Sequence, residues 1–149
     1  MDTRIPEPLS AIVAAPIIDD LLREGLPPMG LNIWVRSGLR CEYCGADLLS
    51  SPQALWLAES DHILPLSKYP ELQDDPNNYA HTCGLCNKLK RNWNPIGNDP
   101  AFPVADHLTD DQRQQLIARC REYLKPLLGK KTQAVTAIKC VLQKHGQRS

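Results

Sequence analysis

The 149-residue sequence predicts a mixed fold, helical at both ends around a small middle section held together by metal. Three observations carry this expectation. Apolar residues recur at helical spacing near both termini. Residues 36–98 show no long helical period. That same stretch holds two CxxC pairs, Cys41-Glu42-Tyr43-Cys44 and Cys83-Gly84-Leu85-Cys86. The chain accordingly divides into a helical segment over residues 1–35, a core over 36–98 and a basic helical extension over 99–149.

The first segment reads as a helix with proline punctuation. Pro16 suits a first helical position, and Ile17, Ile18, Leu21 and Leu22 follow on one face before Gly25. Gly25-Leu26-Pro27-Pro28-Met29-Gly30 must be a loop, because its prolines and glycines forbid regular structure. The Ile/Leu face is expected to pack on the middle of the chain. In the last third, Thr109 with Gln112 three residues later matches a capping box, and Leu116, Ile117, Cys120, Tyr123 and Leu124 keep helical spacing. Pro126 and Gly129 are expected to end that helix. A second helix over 132–144 then carries Val135, Ile138, Val141 and Leu142 on one stripe. Cys120 and Cys140 fall on these apolar stripes and read as core residues.

Composition bounds the rest. With 42% hydrophobic and 23% charged residues the chain can bury a core, which excludes disorder as its main state. One Phe, three Trp and four Tyr leave little ring mass for packing, so a small core needs a staple. The longest apolar run, residues 11–18, is eight residues long and broken by Pro16, far short of the roughly 20 a spanning helix needs. The mixed charge of the first residues, with Asp19-Asp20 directly after the run, does not fit a signal peptide. A cytoplasmic location is therefore expected, where thiols stay reduced and paired cysteines bind metal more often than they form disulfides. The net charge of zero argues, taken alone, against a nucleic-acid binder. It hides a split, however. Residues 1–111 carry 8 basic and 16 acidic residues, a balance of −8, and residues 112–149 carry 9 and 1, a balance of +8.

The two CxxC knuckles, separated by 38 residues, supply four thiolates, enough for a closed tetrahedral zinc site. Such a site leaves no open position, so this zinc is expected to be structural. Gly45 suits the tight turn after the first knuckle. Between the knuckles stand Asp61-His62 and Pro65. A variable loop follows, and then Asn78, Cys83, Cys86, Asn87 and Lys90. In its DH pair, its proline loop and the run N-x4-C-x2-C-N-x2-K, this arrangement resembles the HNH endonuclease family over residues 36–93. The sequence departs from the family name at its last letter, since Asn87 stands where other members carry His. The Asn form recurs in that family.

The resemblance implies an α+β, ββα-metal core with a first strand over 55–62, a second over Tyr79–Thr82 and a helix over 84–93. It implies a metal-dependent endonuclease that hydrolyses phosphodiester bonds, with DNA as the expected nucleic acid and 5′-phosphate and 3′-hydroxyl products. His62 would be the general base, since an imidazole near its ordinary pKa can take a proton from water at neutral pH. Asp61 and Asn87 would hold one catalytic divalent cation, and as hard oxygen donors they lean toward Mg²⁺ or Mn²⁺. Asn78 would fix the loop and orient the His62 ring. Cys41, Cys44, Cys83 and Cys86 would hold the structural Zn²⁺. His81 is expected at the surface or beside the zinc, and His107 and His145 receive no role.

Lys88, Lys90 and Arg91 follow the start of the metal-site helix and are candidate phosphate contacts, the alternative being a solvated helix face. Arg121 and Lys125, opposite the apolar stripe of the later helix, are further candidates. The +8 stretch either binds nucleic-acid backbone or docks on the acidic part of the chain. A homodimer or a larger nuclease assembly is compatible with the chain length. The competing function is a non-catalytic zinc module that binds nucleic acid or a partner protein. A zinc deaminase is excluded, because no H-x-E precedes a P-C-x-x-C. A two-cysteine two-histidine finger is excluded as well, because no H-x3-5-H pair follows either knuckle.

Overall fold

A computed structural model describes residues 14–26 and 30–149 of the chain. Helix α1 spans Ala14–Arg23, α2 spans Leu31–Arg36 and α3 spans Pro52–Trp56. Strand β1 is Glu59–His62 and β2 is Tyr79–Thr82, and helices α4 (Gly84–Lys90) and α5 (Asp110–Lys144) follow. Two single-turn 3-10 helices, Pro70–Leu72 and Pro76–Asn78, shape the loop between the strands. The strands are antiparallel, with Glu59 opposite Thr82, Ser60 opposite His81, Asp61 opposite Ala80 and His62 opposite Tyr79. With α4 entered directly from β2, the centre is a ββα unit within a mixed α+β fold.

Local chemistry accounts for the element ends. The Ser51 hydroxyl caps α3 by accepting from the Ala54 amide at 3.0 Å, and Pro52 occupies its first turn. Strand β1 is therefore shorter than the 55–62 expected, because residues 52–56 are already committed to this capped helix. Helix α4 is capped by a knuckle cysteine, whose Sγ accepts from the Cys86 amide at 3.3 Å. Gly84 has to be glycine, since a Cβ there would lie 2.9 Å from the Leu57 carbonyl oxygen. Helix α4 stops at Lys90 rather than at 93, because Arg91 turns the chain with a φ of 51°. A capping box starts α5, Thr109 Oγ1 accepting from the Gln112 amide and Gln112 Oε1 accepting from the Thr109 amide.

The C-terminal region is one helix of 35 residues, not two. Pro126 removes one N–H from the ladder and crowds the carbonyl four residues back, costing about 3 kcal/mol, and Gly129 costs about 1 kcal/mol relative to alanine. Strong helix formers around them (Leu124, Lys125, Leu127, Leu128, Lys130, Lys131) carry the helix through. The N-terminal helix already includes Ala14 and Ala15, ahead of Pro16. Pro27, Pro28 and Met29 of the predicted loop, and residues 1–13, lie outside the described residues.

The main core gathers Leu48, Ile63, Leu64, Leu72, Ala80 and Cys86 around the ββα unit, and Leu108, Leu116, Ile117, Cys120 and Leu124 from beyond residue 98. A second, smaller cluster of Leu26, Leu31 and Trp34 takes in Ile18 and Leu21 of α1, which is how the first helix meets the middle of the chain. Cys140 departs from its expected core position and is exposed, as are Val135, Ile138 and Val141 at 52%, 58% and 57%. The apolar stripe of α5 continues past the body of the protein. Among the described residues no helix is long and apolar enough to cross a membrane.

Candidate active site

The metal knuckles come together as their spacing implies. One Sγ from each of Cys41, Cys44, Cys83 and Cys86 lies within 4.8 Å of the others, and the Cys44 and Cys83 sulfurs are 3.8 Å apart. A tetrahedron with Zn–S bonds of about 2.3 Å has edges of about 3.8 Å, so the donor set and its spacing suit zinc. The thiols already bias one another. Hydrogen bonding among the four thiols holds Cys41 and Cys83 below the ordinary thiol range and Cys44 and Cys86 above it. Gly45, with a φ of 78°, closes the first knuckle by donating its amide to the Cys41 carbonyl at 2.8 Å.

Beside this cluster a cavity of about 320 Å³ is lined by Asp61, His62, Pro65, Asn87 and Arg91, among others. Asp61 and His62 come from the end of β1, while Asn87 comes from the second turn of α4. Asp61 is nearly buried, and its carboxylate takes two hydrogen bonds on one oxygen. Tyr43 Oη donates to Oδ2 at 2.6 Å, and Lys90 Nζ lies 2.9 Å from the same oxygen. Among the described residues Oδ1 has no hydrogen-bond partner. Burial raises the Asp61 pKa, while Lys90 and Tyr43 oppose that rise.

The His62 ring packs against Tyr79, its cross-strand partner, with centroids 4.3 Å apart. Its Nε2 lies 3.4 Å from the Gln73 carbonyl oxygen, which also accepts from Tyr79 Oη at 2.6 Å. Asn78 is fully buried behind the site. Its Oδ1 accepts from the Leu64 amide at 2.8 Å, and its Nδ2 donates to the Leu64 and Leu72 carbonyls at 3.1 and 3.5 Å. The Asn78 side chain thus pins the backbone of the loop after β1. The ring contacts of His62 come instead from Tyr79 and Gln73.

Residues 41–92 match the family model described as HNH endonuclease. That segment is an HNH domain. No curated protein and no solved structure matches the chain. An HNH domain supports a nuclease-type function in general, acting on nucleic acid, and the four-cysteine cluster is its metal knuckle pair.

Within the HNH domain several expected roles change. Lys90 is buried and not presented to solvent. Its side chain is 0% exposed, and its Nζ is committed to Asp61 Oδ2 and, at 3.0 Å, to the His62 carbonyl. An ammonium placed in so dry a site has to be paired, and the nearest carboxylate is the one at the cavity. His81 is not a surface residue, and it lies beside the first knuckle, bonded through its backbone to Glu42. It is fully buried and stacked on Trp34 at 4.4 Å, and Ser37 Oγ lies 3.0 Å from its Nδ1. Burial lowers His81 to about 4, so the ring is neutral near pH 7. Lys88 and Arg91 are exposed, and only Arg91 of the pair lines the cavity. Arg121 donates its Nε to the Glu42 carbonyl at 2.8 Å, beside the first knuckle, and Lys125 is exposed one turn further along α5.

Sequence reasoning passed over Tyr43 and the pair Glu42–Arg113. Arg113 is buried, with Nη2 2.7 Å from Glu42 Oε1 and 2.8 Å from the Tyr79 carbonyl. Glu42 Oε2 in turn accepts from the His81 amide at 2.7 Å, which ties the first knuckle to β2 and α5. The available signal for Tyr43 was its place inside a knuckle of a chain poor in aromatic residues.

Proposed function

We propose that the protein is a metal-dependent endonuclease that hydrolyses phosphodiester bonds in nucleic acid, DNA being the expected substrate. The observation that carries this reading is the convergence of Asp61, His62 and Asn87 on one cavity, with both hydrogen bonds of the Asp61 carboxylate made by Oδ2. A carboxylate oxygen and an amide oxygen are hard donors of the kind Mg²⁺ or Mn²⁺ selects, so the residues fit a divalent cation held by Asp61 and Asn87. When bound, that cation would neutralise charge on the scissile phosphate and stabilise the leaving 3′ oxygen.

His62 acts as general base. A carbonyl oxygen can only accept, so the 3.4 Å contact of Nε2 with Gln73 favours the tautomer with its proton on Nε2, in which the lone pair of Nδ1 takes a proton from water. The tilted Tyr79 ring limits how far the imidazole can turn. Asn78 holds the loop that walls the site. Arg91 at the cavity rim, with Lys88, Arg121 and Lys125 outside it, supplies positive charge for phosphate, and the four-cysteine zinc keeps α4 and the first knuckle in place.

Nicking of supercoiled plasmid in Mg²⁺ or Mn²⁺ tests this reading directly. The unaltered chain should cut, and His62→Ala should lose at least a hundredfold in rate while keeping its zinc and its circular dichroism. Full cleavage by that variant would overturn the role of His62. Binding without cutting by the unaltered chain would favour a non-catalytic zinc module instead.

A further inference from the structure

Tyr43 sits between Cys41 and Cys44, in the loop that holds metal, and its hydroxyl reaches Asp61 of β1. It is one of the few aromatic residues in the chain, and it is 4% exposed. A buried phenol needs a partner, and backbone carbonyls would serve. Tyr43 instead donates to Asp61 Oδ2 at 2.6 Å, a short bond of the charge-assisted kind. Lys90 meets the same oxygen from the opposite element. Both donors therefore load Oδ2 and leave Oδ1 without a partner among the described residues.

These two struts have a common origin. Tyr43 belongs to the first knuckle. Lys90 lies one turn beyond Asn87 on α4, the helix that the second knuckle begins and that Cys83 caps. Each half of the four-cysteine cluster thus sends one donor to the carboxylate that lines the neighbouring cavity. Lys90 supplies the countercharge that a buried carboxylate needs. Tyr43 adds no charge, so its contribution is direction: it fixes the rotation of the carboxyl group and hence where Oδ1 points.

We propose that Tyr43 is a positioning residue, the link by which the structural metal knuckle orients Asp61 for the catalytic cation. This rests on the reading of Asp61 as a cation ligand. Partners that orient a metal ligand in this way commonly affect metal affinity by about 10- to 100-fold. Tyr43→Phe removes only the hydroxyl, and it should weaken Mn²⁺ binding about tenfold with zinc content and melting temperature preserved.

The experiment is Mn²⁺ titration without nucleic acid, read by the electron paramagnetic resonance of the free ion, on the zinc-loaded full chain. Four proteins are compared: the unaltered chain, Tyr43→Phe, Asp61→Asn and the double variant. Asp61→Asn should lose the site, and adding Tyr43→Phe to it should change nothing further, because Tyr43 acts through Asp61. A Tyr43→Phe variant that binds Mn²⁺ as tightly as the unaltered chain, while Asp61→Asn does not, overturns the role of Tyr43 alone. Full affinity in Asp61→Asn overturns the reading of Asp61, and the proposal with it. A measurement on the unaltered chain covers the case in which the phenylalanine variant does not fold. The buried Tyr43 hydroxyl proton, followed by NMR, should shift as diamagnetic Mg²⁺ is added, and a resonance unmoved at saturation refutes the link.

Discussion

At the scale of single residues, the charged groups inside this protein are arranged in pairs whose members come from distant parts of the chain. Glu42 and Arg113 are both buried and meet at 2.7 Å. Removing one member of such a pair strands the other charge without water, which costs about 3–5 kcal/mol. Arg113→Leu should therefore lower the unfolding free energy by that amount, read as a shift of the urea midpoint at unchanged slope. An effect under about 1 kcal/mol, the range of an exposed pair, would contradict the buried geometry. The cysteines offer a second check. Burial pushes the Cys120 thiol up to about 12, so it stays protonated and inert at neutral pH, whereas Cys140 is exposed. In zinc-loaded protein, iodoacetamide should modify Cys140 first and leave Cys120 untouched until unfolding, as peptide mass mapping would report.

At the scale of elements, α5 joins two different halves. It is about 52 Å long at 1.5 Å per residue. Its first half packs Leu116, Ile117, Cys120 and Leu124 into the main core, and Tyr123 stacks on Trp93 at 4.0 Å. Its second half, from Gly129, has five basic residues and no acidic one up to the chain end. Deletion of residues 112–149 would thus remove core side chains and unfold the HNH domain. Deletion of residues 130–149 should leave the melting temperature within a few degrees of the full chain. If that half touches phosphates, the same deletion should flatten the salt dependence of duplex binding by about 0.9 in slope for each phosphate no longer neutralised. An unchanged slope would assign the basic residues another task. Pro126 lies inside α5, and Pro126→Ala restores a helical amide. It should raise thermal stability, by up to about 3 kcal/mol if the helix is otherwise unstrained.

At the scale of the whole molecule, a two-stranded sheet too small to stand alone is supported by four cysteines that tie the segment at 41–44 to the start of α4. Chelation of the metal should unfold the HNH domain in one cooperative step, lowering both the α4 and the sheet contributions to circular dichroism. A chelated protein that kept its full melting temperature would make the cysteine cluster dispensable. Thiolates are the binding form, so metal affinity should fall as pH falls, and acid should release zinc before it protonates the ordinary surface carboxylates.

The chemistry written in short stretches was legible from the sequence: the two CxxC pairs, Asp61-His62, the Asn78 to Lys90 run, strand β2 and the Thr109 capping box all depend on neighbours a few residues away. These motifs were enough to name an HNH domain and its metal knuckle. Two local readings failed where a neighbouring element competed, at β1 against capped α3 and at Pro126 against strong helix formers on both sides. What only the tertiary structure decided is how each polar side chain is used. Lys88 and Lys90 look alike in sequence, but one faces water and the other is locked onto Asp61. His81 was open to a surface or a zinc-side place, and it is buried beside the first knuckle and stacked on Trp34. Tyr43 and Asp61, Lys90 and Asp61, and Glu42 and Arg113 meet only after the sheet and α5 close around them. The physical reason is that spacing along a chain reports which residues share a turn or a knuckle. The worth of a charge or a hydroxyl depends on the water left around it and on the partner across the core.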